Sequence, residues 1–236
     1  MIQYFYPSPG SCPYLPDQIE QKEYAFIDDS TIAMEDGKDE FYRSYIDQGF
    51  RRSHNVFYRN MCNTCAACLP CRTDVFQFKP NRTMRKTLRL DLDLTKTKSP
   101  TQEHYNLFLR YQECRHSGGE MSKLTFQHFS DLVRKSPVNT FMVEFRDKLK
   151  LVGVALIDGV SDGWSGNYQI FDPDYLSKSI GTYMILRAME EMKKEGLQYY
   201  YLGFWVKGAK TMEYKKNFQP MEVLIDGKWT AYSEDL

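Results

Sequence analysis

Four cysteines follow one another at three-residue intervals between Cys62 and Cys71, in the segment CNTCAACLPC. Because two residues separate each pair, one loop can deliver several sulfurs to a single ion. The spacing differs from the two separated C-x-x-C knuckles usual for zinc and from the bacterial ferredoxin run, whose last gap is three residues. Cys12 offers a further ligand from the N-terminal arm. We expect this loop to fold around a metal ion or iron–sulfur cluster, with unligated structural thiols and a redox or nucleophilic cysteine as alternatives.

The segment that carries the cysteines is basic, although the chain as a whole has a net charge of zero. Residues 43–89 hold ten Arg or Lys residues against two acidic ones, whereas residues 1–40 hold nine acidic residues and two lysines. Such a local excess of positive charge is typical of a surface that meets an anionic partner. A solvated charged face is the alternative, because charge alone is weak evidence.

No apolar run reaches the roughly 18–20 residues that cross a bilayer, so no membrane partner is expected. The N-terminal sequence MIQYFYP lacks the basic start and apolar core of a secretory signal. We therefore expect a cytoplasmic protein whose six cysteines are reduced rather than paired in disulfides.

A polar stretch that ends in Pro100 marks the expected domain boundary, which we place between residues 1–98 and 99–236. The first part consists of short, turn-rich pieces around the cysteines, and the second shows regular hydrophobic periodicity. The pattern predicts, in chain order, a helix over 102–116, a helix capped by Thr125, strands over 141–145, 149–157 and 167–171, a helix over 179–195 stopped by Gly196, a strand over 199–202, a short basic helix over 209–218 and a strand over 221–225.

This order of elements predicts an α+β fold of the GNAT acyltransferase type, a mixed sheet flanked by helices, behind a small Cys-rich N-terminal domain. In that fold two neighbouring parallel strands splay apart, and an acyl donor lies in the gap. Ser177, Ser179 and Gly181 stand where such enzymes hold a phosphate-bearing donor, because small residues at a helix start expose backbone N–H groups to an anion. Capping and close packing are the alternative explanation of these residues.

The other motifs are less specific. The sequence contains no Ser/His/Asp set, Walker loop or Rossmann glycine fingerprint. His54 is the one histidine in the basic segment. Contact with a substrate and an ordinary surface position are the two interpretations of this residue. Residues 201–220 mix aromatic side chains with lysines, a composition that suits binding of unpaired bases and phosphates, or a core with solvated lysines at its edge.

Several ordered motifs resemble the arginyl-tRNA–protein transferase family, and within it the bacterial branch of aspartate/glutamate leucyltransferases. They are CPYLP from Cys12, GFRRS from Gly49, YR at Tyr58, C-x-x-C-x-A-C-x-P-x-R from Cys62, DP at Asp172, S-x-G-T-Y from Ser179, YLGFW from Tyr201 and M-x-Y-K-x-x-F-x-P from Met212. The resemblance covers essentially the whole chain.

This resemblance implies transfer of leucine from leucyl-tRNA to the α-amine of a protein that begins with Asp or Glu, a step in the N-degron degradation pathway. It implies a GNAT-like second domain, in agreement with the order of elements. It also implies that an iron–sulfur cluster or zinc is held by Cys12, Cys62, Cys65 and Cys68, whereas Cys71 stands where relatives often carry an aliphatic residue. The expected partners are therefore leucyl-tRNA and proteins or peptides with an acidic N-terminus, and neither DNA nor a membrane.

Three groups of residues are our hypotheses for the site. The reacting centre is assigned to Tyr168, Ser179 and Tyr214. The acidic side chain of the acceptor suits a guanidinium fork and is assigned to Arg51, Arg52, Arg72 and His54. Binding of tRNA is assigned to Arg82, Arg85, Lys86, Ser177, Gly181, Lys207, Lys210, Lys215 and Lys216. On this basis Arg52→Ala is expected to impair use of acidic acceptors far more than folding.

Three other functions remain open from the residues. The same reaction with arginyl-tRNA as donor needs only one acidic residue in the aminoacyl pocket, which the sequence does not locate. An acetyl-CoA-dependent N-acetyltransferase would share the fold, but usually has a fuller glycine-rich pyrophosphate loop and no cysteine cluster. A non-catalytic nucleic-acid-binding protein with a zinc module would bind RNA and transfer nothing.

Overall fold

The computed structural model of the chain describes residues 2–27 and 37–235. Its strands are β1 Ile2–Phe5, β2 Gly10–Ser11, β3 Ile19–Glu20, β4 Lys22–Ile27, β5 Arg51–Ser53, β6 Val56–Asn60, β7 Cys68–Asp74, β8 Asp93–Thr97, β9 Thr140–Asp147, β10 Lys150–Val160, β11 Gly163–Phe171, β12 Tyr199–Val206, β13 Met221–Ile225 and β14 Lys228–Ala231. Its α-helices are α1 Lys38–Asp47, α2 Arg82–Thr87, α3 Gln102–Arg115, α4 Phe126–Arg134 and α5 Ile180–Lys194. Short 3₁₀ helices cover Glu120–Lys123, Pro173–Lys178 and Lys210–Asn217. No helix within the described ranges is long and apolar enough to span a membrane.

An eight-stranded sheet forms the centre of the molecule, in the order β14-β13-β7-β12-β11-β10-β9-β8. The pair β11–β12 is parallel, and the other pairs in this sheet are antiparallel. A parallel pair needs a crossover connection, and α5 supplies it. This mixed sheet flanked by helices confirms the α+β, GNAT-like fold class predicted from the order of elements.

Local signals in the sequence account for the helix ends. The Thr125 hydroxyl accepts from the backbone N–H of His128 and caps α4, as predicted, a contact typically worth about 1 kcal/mol. Thr101 and His104 form a reciprocal capping box at the start of α3. Gly196 takes a left-handed backbone conformation just after α5 and ends it, also as predicted. The expected basic helix over 209–218 is present as the 3₁₀ helix.

Helices cover both faces of the central sheet. One core cluster packs α5 residues such as Ile180 and Met184 against the sheet, and another packs Phe108 and Phe129 of α3 and α4 against its opposite face. Because β10 is enclosed on both sides, it is a nearly continuous apolar run rather than an alternating one. The core thereby fixes β10, β11 and β12 as a rigid platform.

The N-terminal residues form a second, four-stranded sheet in the order β1-β4-β6-β5. Its aromatic core, which contains Tyr42, Phe50 and Phe57, also includes Val160 and Tyr201 of the central sheet. In addition, β7 leaves the cysteine segment and pairs between β12 and β13. The cysteine loop is therefore tied directly to the strand beside the parallel pair. The division of the chain at residue 98 stays a prediction. Two strands that precede this residue, β7 and β8, pair within the central sheet.

Candidate functional site

The two parallel strands of the central sheet separate shortly after they meet. Their pairing covers Gly163–Ser165 of β11 and Tyr199–Tyr201 of β12, after which β11 stays with β10 and β12 stays with β7. Both strands carry an irregularity at this point. On β11, Asn167 falls outside the ladder, and on β12 the register shifts next to Gly203, whose φ is +86°. The resulting gap leaves backbone groups of both strands to be met by side chains or by a ligand.

A cavity of about 320 Å³ opens at this gap. Its walls come from the N-terminal sheet, from the segment before α4, and from β10, β11 and β12. Apolar side chains form one part of the wall, and they are Met121, Leu132, Leu156, Leu202, Phe204 and Met212. Cationic side chains form another part, and they are Arg51, Arg52 and Lys215. Among the described residues that line this cavity, none is Asp or Glu.

Arg51 and Lys215 place two buried cations at the gap, with exposed fractions of 7% and 6%. The guanidinium of Arg51 donates to the carbonyl oxygen of Gly166, at 2.8 Å. The Nζ of Lys215 donates to the carbonyl oxygen of Phe204, at 2.6 Å. Within residues 2–27 and 37–235 neither cation pairs with a carboxylate, which leaves this part of the cavity electropositive.

Gly203 lies next to both cations. A Cβ at this position would come within 3.5 Å of the Lys215 Nζ and 3.6 Å of an Arg51 guanidinium nitrogen. Its positive φ also disfavours any residue with a side chain. The pKa of Lys215 is lowered to about 8, chiefly by burial; Cys71 acts in the opposite direction, and the nearby Arg51 charge adds to the lowering.

Arg52 is already engaged within the protein. Its guanidinium contacts both carboxylate oxygens of Asp158 at 2.9 and 2.7 Å and also donates to the carbonyl of His54. The Asp158 carboxylate accepts two further hydrogen bonds, from Thr140 and Asn167. The fork assigned to the substrate from sequence is thus occupied, and the structure gives Arg52 the role of a strut between β5 and β10.

Arg72 is also engaged, and it does not line the cavity. Its Nε donates to a carboxylate oxygen of Glu222 at 2.7 Å, and its guanidinium stacks 3.6 Å from the ring centroid of Tyr199 and 4.3 Å from that of Trp229. His54 lies at the cavity edge, where its Nδ1 is 3.2 Å from the hydroxyl of Ser53. Of the four residues assigned to the acceptor, Arg51 is the buried cation without an acidic partner among the described residues.

Tyr168 reaches the cavity from β11. Its hydroxyl oxygen accepts from Nε2 of Gln112 at 2.6 Å, which leaves the phenol hydrogen for a ligand. Burial raises the pKa of Tyr168 to about 12, so the phenol stays protonated at neutral pH and can donate. The other two residues assigned to the reacting centre lie elsewhere. Ser179 is exposed and has a left-handed backbone conformation at the start of α5, and Tyr214 is 42% exposed. Neither residue lines the cavity.

The four cysteines assigned to a metal come together around a second, smaller cavity of about 40 Å³. They are Cys12, Cys62, Cys65 and Cys68. Backbone N–H groups of Tyr14 and Leu15 point at the sulfur of Cys12, at 3.5 and 3.4 Å, and that of Gln21 at the sulfur of Cys62, at 3.4 Å.

The charges of these sulfurs affect one another. Burial raises the pKa of the Cys68 thiol to about 12, and the other three cysteines raise it too. Four thiolates therefore need a cation between them. In the described ranges, no group of three or more His, Cys, Asp or Glu residues is placed so that it could hold a metal ion. Cysteine sulfurs that accept from backbone N–H groups are in general the donors of zinc and iron–sulfur centres, and Cys71 is buried away from this cavity.

The residues assigned to tRNA binding fall into different settings. A broad surface around α2 is bordered by four cations, and none of them pairs with an acidic residue in the described ranges; they are Arg82, Arg85, Lys86 and Arg89. Ser177, Lys207 and Lys210 are exposed, and Gly181 packs beside Phe171. Lys216 pairs with Glu213 at 2.6 Å. Lys215, grouped with these lysines from sequence, is buried in the cavity wall instead.

The sequence missed several residues that shape the site. The partner of Arg52 is Asp158, which carried no recognisable motif. The apolar wall comes from the isolated residues Met121, Leu132 and Leu156, which no local pattern joins. The one available signal was Gly203, a glycine inside an otherwise aromatic strand, which often marks a close approach or a bulge.

Comparison with known proteins gives consistent matches along the chain. Residues 10–86 match the N-terminal part, and residues 103–225 the C-terminal part, of the family described as arginine-tRNA-protein transferase. An aspartate/glutamate leucyltransferase of Paramagnetospirillum magneticum is 37% identical over 98% of this chain and 93% of that protein. The protein of the same name from Nitrosococcus oceani is 39% identical over 98% of this chain and 96% of that protein.

Among solved structures, the C-terminal domain of a putative lysylphosphatidylglycerol synthetase from Agrobacterium fabrum aligns with a TM-score of 0.51. The alignment covers 90% of this chain and 79% of that domain, at 14% identity. At this level of identity the likeness concerns the fold alone.

Proposed function

This chain belongs to the arginine-tRNA-protein transferase family, and on that premise we propose that it moves leucine from leucyl-tRNA to the α-amine of proteins that begin with Asp or Glu. The relatives at 37–39% identity carry the name of this activity and are matched over nearly their full length. Aminoacyl-tRNA is thus the co-substrate. The observation that carries the proposal is the buried Arg51 guanidinium at the strand gap, which has no carboxylate partner in the described ranges.

An acidic acceptor supplies what Arg51 lacks. A cation removed from water without a counter-ion costs several kcal/mol, and a carboxylate that enters the cavity offsets that cost through charge-assisted hydrogen bonds. A peptide that begins with Ala brings no such group, and one that begins with Lys adds another positive charge. The site would therefore select for Asp or Glu, because only their carboxylates offset the free-energy cost of the buried, unpaired Arg51.

The cavity wall favours leucine over arginine as the amino acid transferred. Met121, Leu132 and Leu156 offer an apolar surface that suits a branched aliphatic side chain. A guanidinium in this cavity would lie near Arg51 and Lys215, with no Asp or Glu among the described lining residues to balance it. Because a like charge without a counter-ion is disfavoured, we assign the donor as leucyl-tRNA.

The reaction needs placement more than activation, because the donor is already an ester. The strand gap would hold the ester carbonyl and the α-amine within attack distance of each other. As the amine adds, negative charge develops on the carbonyl oxygen. Tyr168 would donate its phenol hydrogen to that oxygen, since Gln112 already satisfies the phenol oxygen.

Cys12, Cys62, Cys65 and Cys68 would hold zinc or an iron–sulfur cluster, which would supply a rigid anchor for the N-terminal loops. Tyr14 connects this centre to the reaction, because it lines both the cysteine cavity and the larger one. Loss of the anchor would therefore move one wall of the acceptor site as well as loosen the loop.

The tRNA would lie along the α2 surface, where Arg82, Arg85, Lys86 and Arg89 offer cations to phosphates. The exposed Lys207 and Lys210 and the half-buried Lys216 would extend this contact, with Ser177 and Gly181 near the start of α5. An aminoacyl-tRNA donor and newly exposed acidic N-termini both point to the cytoplasm as the place of action.

The test uses the purified full chain, prepared anaerobically, with radiolabelled leucyl-tRNA or arginyl-tRNA and peptides that differ only in a first residue of Asp, Glu, Asn or Ala. We expect leucine on the Asp and Glu peptides, little on the Asn and Ala peptides, and no arginine on any of them. Comparable transfer of arginine would contradict the donor. Acetylation from acetyl-CoA, or RNA binding without transfer, would replace the proposal with one of the alternative functions.

A further inference from the structure

Lys215 is held in a fixed position at the strand gap. Its Nζ donates to the carbonyl oxygen of Phe204 at 2.6 Å, and the side chain lines the cavity while being only 6% exposed. Pro70 lies opposite Phe204 in the sheet and has no N–H to offer that carbonyl. The lysine amine therefore completes the hydrogen bonding of β12 and is itself kept in place beside the gap.

The charges around Lys215 disfavour its protonated form. Arg51 lies close to the same point beside Gly203, and no carboxylate in the described ranges neutralises either cation. Of two neighbouring cations in a water-poor wall, one is driven to lose its proton, and a guanidinium does not lose its proton in proteins. Lys215 is therefore the group that becomes neutral.

The other groups that face Lys215 do not reverse this tendency. The titratable and charged groups near it are Arg51 on β5, Cys71 on β7, Tyr200 on β12 and Tyr214 beside it, and the same cavity is also lined by Tyr14, Arg52, His54 and Tyr58. Burial raises the pKa of the Cys71 thiol, and the effect of Cys71 in raising the pKa of Lys215 is smaller than the effect of burial in lowering it. With its pKa lowered to about 8, Lys215 is unprotonated to about one half at pH 8 and to roughly one tenth at pH 7, far more than an ordinary lysine.

The transfer reaction requires a group with this property. The α-ammonium of a peptide has a pKa of about 7.7–8.0 and must lose a proton before its nitrogen can form a bond to carbon. The ribose oxygen that leaves must in turn gain a proton. Proton transfer is efficient when the pKa of the protein group is close to that of the substrate and to the working pH.

We propose that Lys215 is a catalytic residue that carries the proton in this reaction, a role that rests on the proposed function. The acceptor, having lost its ammonium proton to solvent, attacks as the neutral amine, and the neutral Lys215 amine takes one more proton from the acceptor nitrogen as its bond to the leucyl carbonyl carbon forms. The resulting ammonium returns the proton to the ribose oxygen as the carbon–oxygen bond of the ester breaks. The products are an amide and a free ribose hydroxyl, and Lys215 is neutral again.

The arrangement also links acceptor choice to turnover. When an acceptor carboxylate pairs with Arg51, it reduces the positive field at Lys215 and makes the lysine amine a stronger base. The base therefore gains strength when a correct acceptor arrives. An acceptor that begins with Asn should then lose kcat as well as affinity, because it leaves the field of Arg51 unchanged.

The test measures single-turnover transfer of leucine to an Asp peptide by Lys215→Ala, Lys215→Met and Lys215→Arg, with the exposed Lys194→Ala as a matched control. We expect a loss of at least about 100-fold for all three Lys215 variants, in line with general acid–base catalysis, and no loss for the control. Binding of leucyl-tRNA and of the Asp peptide should stay within about threefold, which separates loss of the base from loss of the fold.

Small amines provide a second readout that a structural role would not move. Methylamine and ethylamine should raise the transfer rate of Lys215→Ala by at least about tenfold. They should not raise that of Lys215→Met, where the side chain fills the space. Full activity of Lys215→Arg would show a purely electrostatic role and overturn the proposal, as would absence of amine rescue in a variant that binds both substrates. Failure of the wild-type protein to transfer leucine would instead contradict the proposed function itself.

Discussion

Arg52 and Asp158 form a two-point ion pair in which the side chains are 1% and 0% exposed. The pair joins β5 of the N-terminal sheet to β10 of the central sheet, across residues far apart in the chain. Thr140 and Asn167 satisfy the remaining positions on the carboxylate, so the network is complete. The pair holds β5 against β10 and thereby positions the neighbouring Arg51 at the strand gap.

Arg52→Ala should therefore act first on stability. Removing one partner of a buried ion pair leaves an uncompensated charge and typically costs about 3–5 kcal/mol. We expect a loss of this size in the free energy of unfolding, measured by urea denaturation. Lys194→Ala, which breaks an exposed pair with Glu191, should change it by less than about 0.5 kcal/mol. A stable Arg52→Ala protein with a raised KM for acidic peptides would restore the role expected from sequence.

Arg51→Met should act on the acceptor rather than on the fold. Hydrogen bonds to charged groups are worth about 1.5–3 kcal/mol, so kcat/KM for Asp and Glu peptides should fall roughly 10- to 100-fold. Peptides that begin with Asn should lose little, because they make no ion pair with Arg51. Steady-state kinetics with the matched Asp and Asn peptides measures the difference. An equal loss for both peptides would remove Arg51 from acceptor recognition.

Lys215→Met should make the protein more stable at neutral pH. A lysine pKa lowered from 10.5 to about 8 corresponds to a cost of about 3 kcal/mol, which is partly offset by the hydrogen bond to Phe204. Below about pH 8 the lysine is protonated in both states and the cost is fully present. Between about pH 8 and 10.5 the unfolded state binds more protons, so the wild-type protein gains stability as pH rises.

Urea denaturation at pH 7 and at pH 10 measures this effect. We expect the variant to exceed the wild type by about 1–3 kcal/mol at pH 7, with the difference shrinking at pH 10. A difference that does not change with pH would show that Lys215 carries no buried charge. A gain in stability together with a loss of activity would be typical of a residue kept for function.

The sequence was sufficient for the main helices and strands between residues 102 and 225 and for their order, because caps and periodicity are local. Thr125 marks the start of α4 and Gly196 the end of α5, both through features within a few residues. The insertion of β7 beside β12 was not predictable, since its cysteines and Pro70 suggested a loop rather than a strand in the central sheet. Pairing between such distant segments leaves no local trace.

The same limit applies to the environment of each site residue. Sequence assigned the arginines by residue type, but Arg52 and Arg72 have acidic partners over a hundred positions away, at Asp158 and Glu222. Lys215 and Lys216 look equivalent in a basic segment. In the 3₁₀ helix one of them faces the cavity and the other pairs with Glu213 at the surface. Only tertiary packing distinguishes them.

Substitution of the cysteines should separate ligands from bystanders. Cys65→Ser should lower the metal content of anaerobically purified protein and destabilise the N-terminal loops, because one of four sulfurs is lost. Cys71→Ser should leave the metal content unchanged, since Cys71 lies outside the cysteine cavity. Metal analysis and thermal denaturation of the two variants provide the comparison. Equal metal content in Cys65→Ser and the wild type would contradict the assigned ligand set.

The α2 surface should contribute to tRNA affinity through phosphates alone. Binding releases about one counter-ion for each phosphate that a cation neutralises. Loss of one such contact in Arg85→Ala should therefore reduce the magnitude of the slope of log K against log salt by about 1. Arg134→Ala, an exposed arginine at the end of α4, serves as the control and should leave the slope unchanged. The loss should be the same for leucyl-tRNA and uncharged tRNA, because the α2 surface is distinct from the aminoacyl cavity. An Arg85 variant that retains the wild-type slope would place the tRNA on another face of the protein.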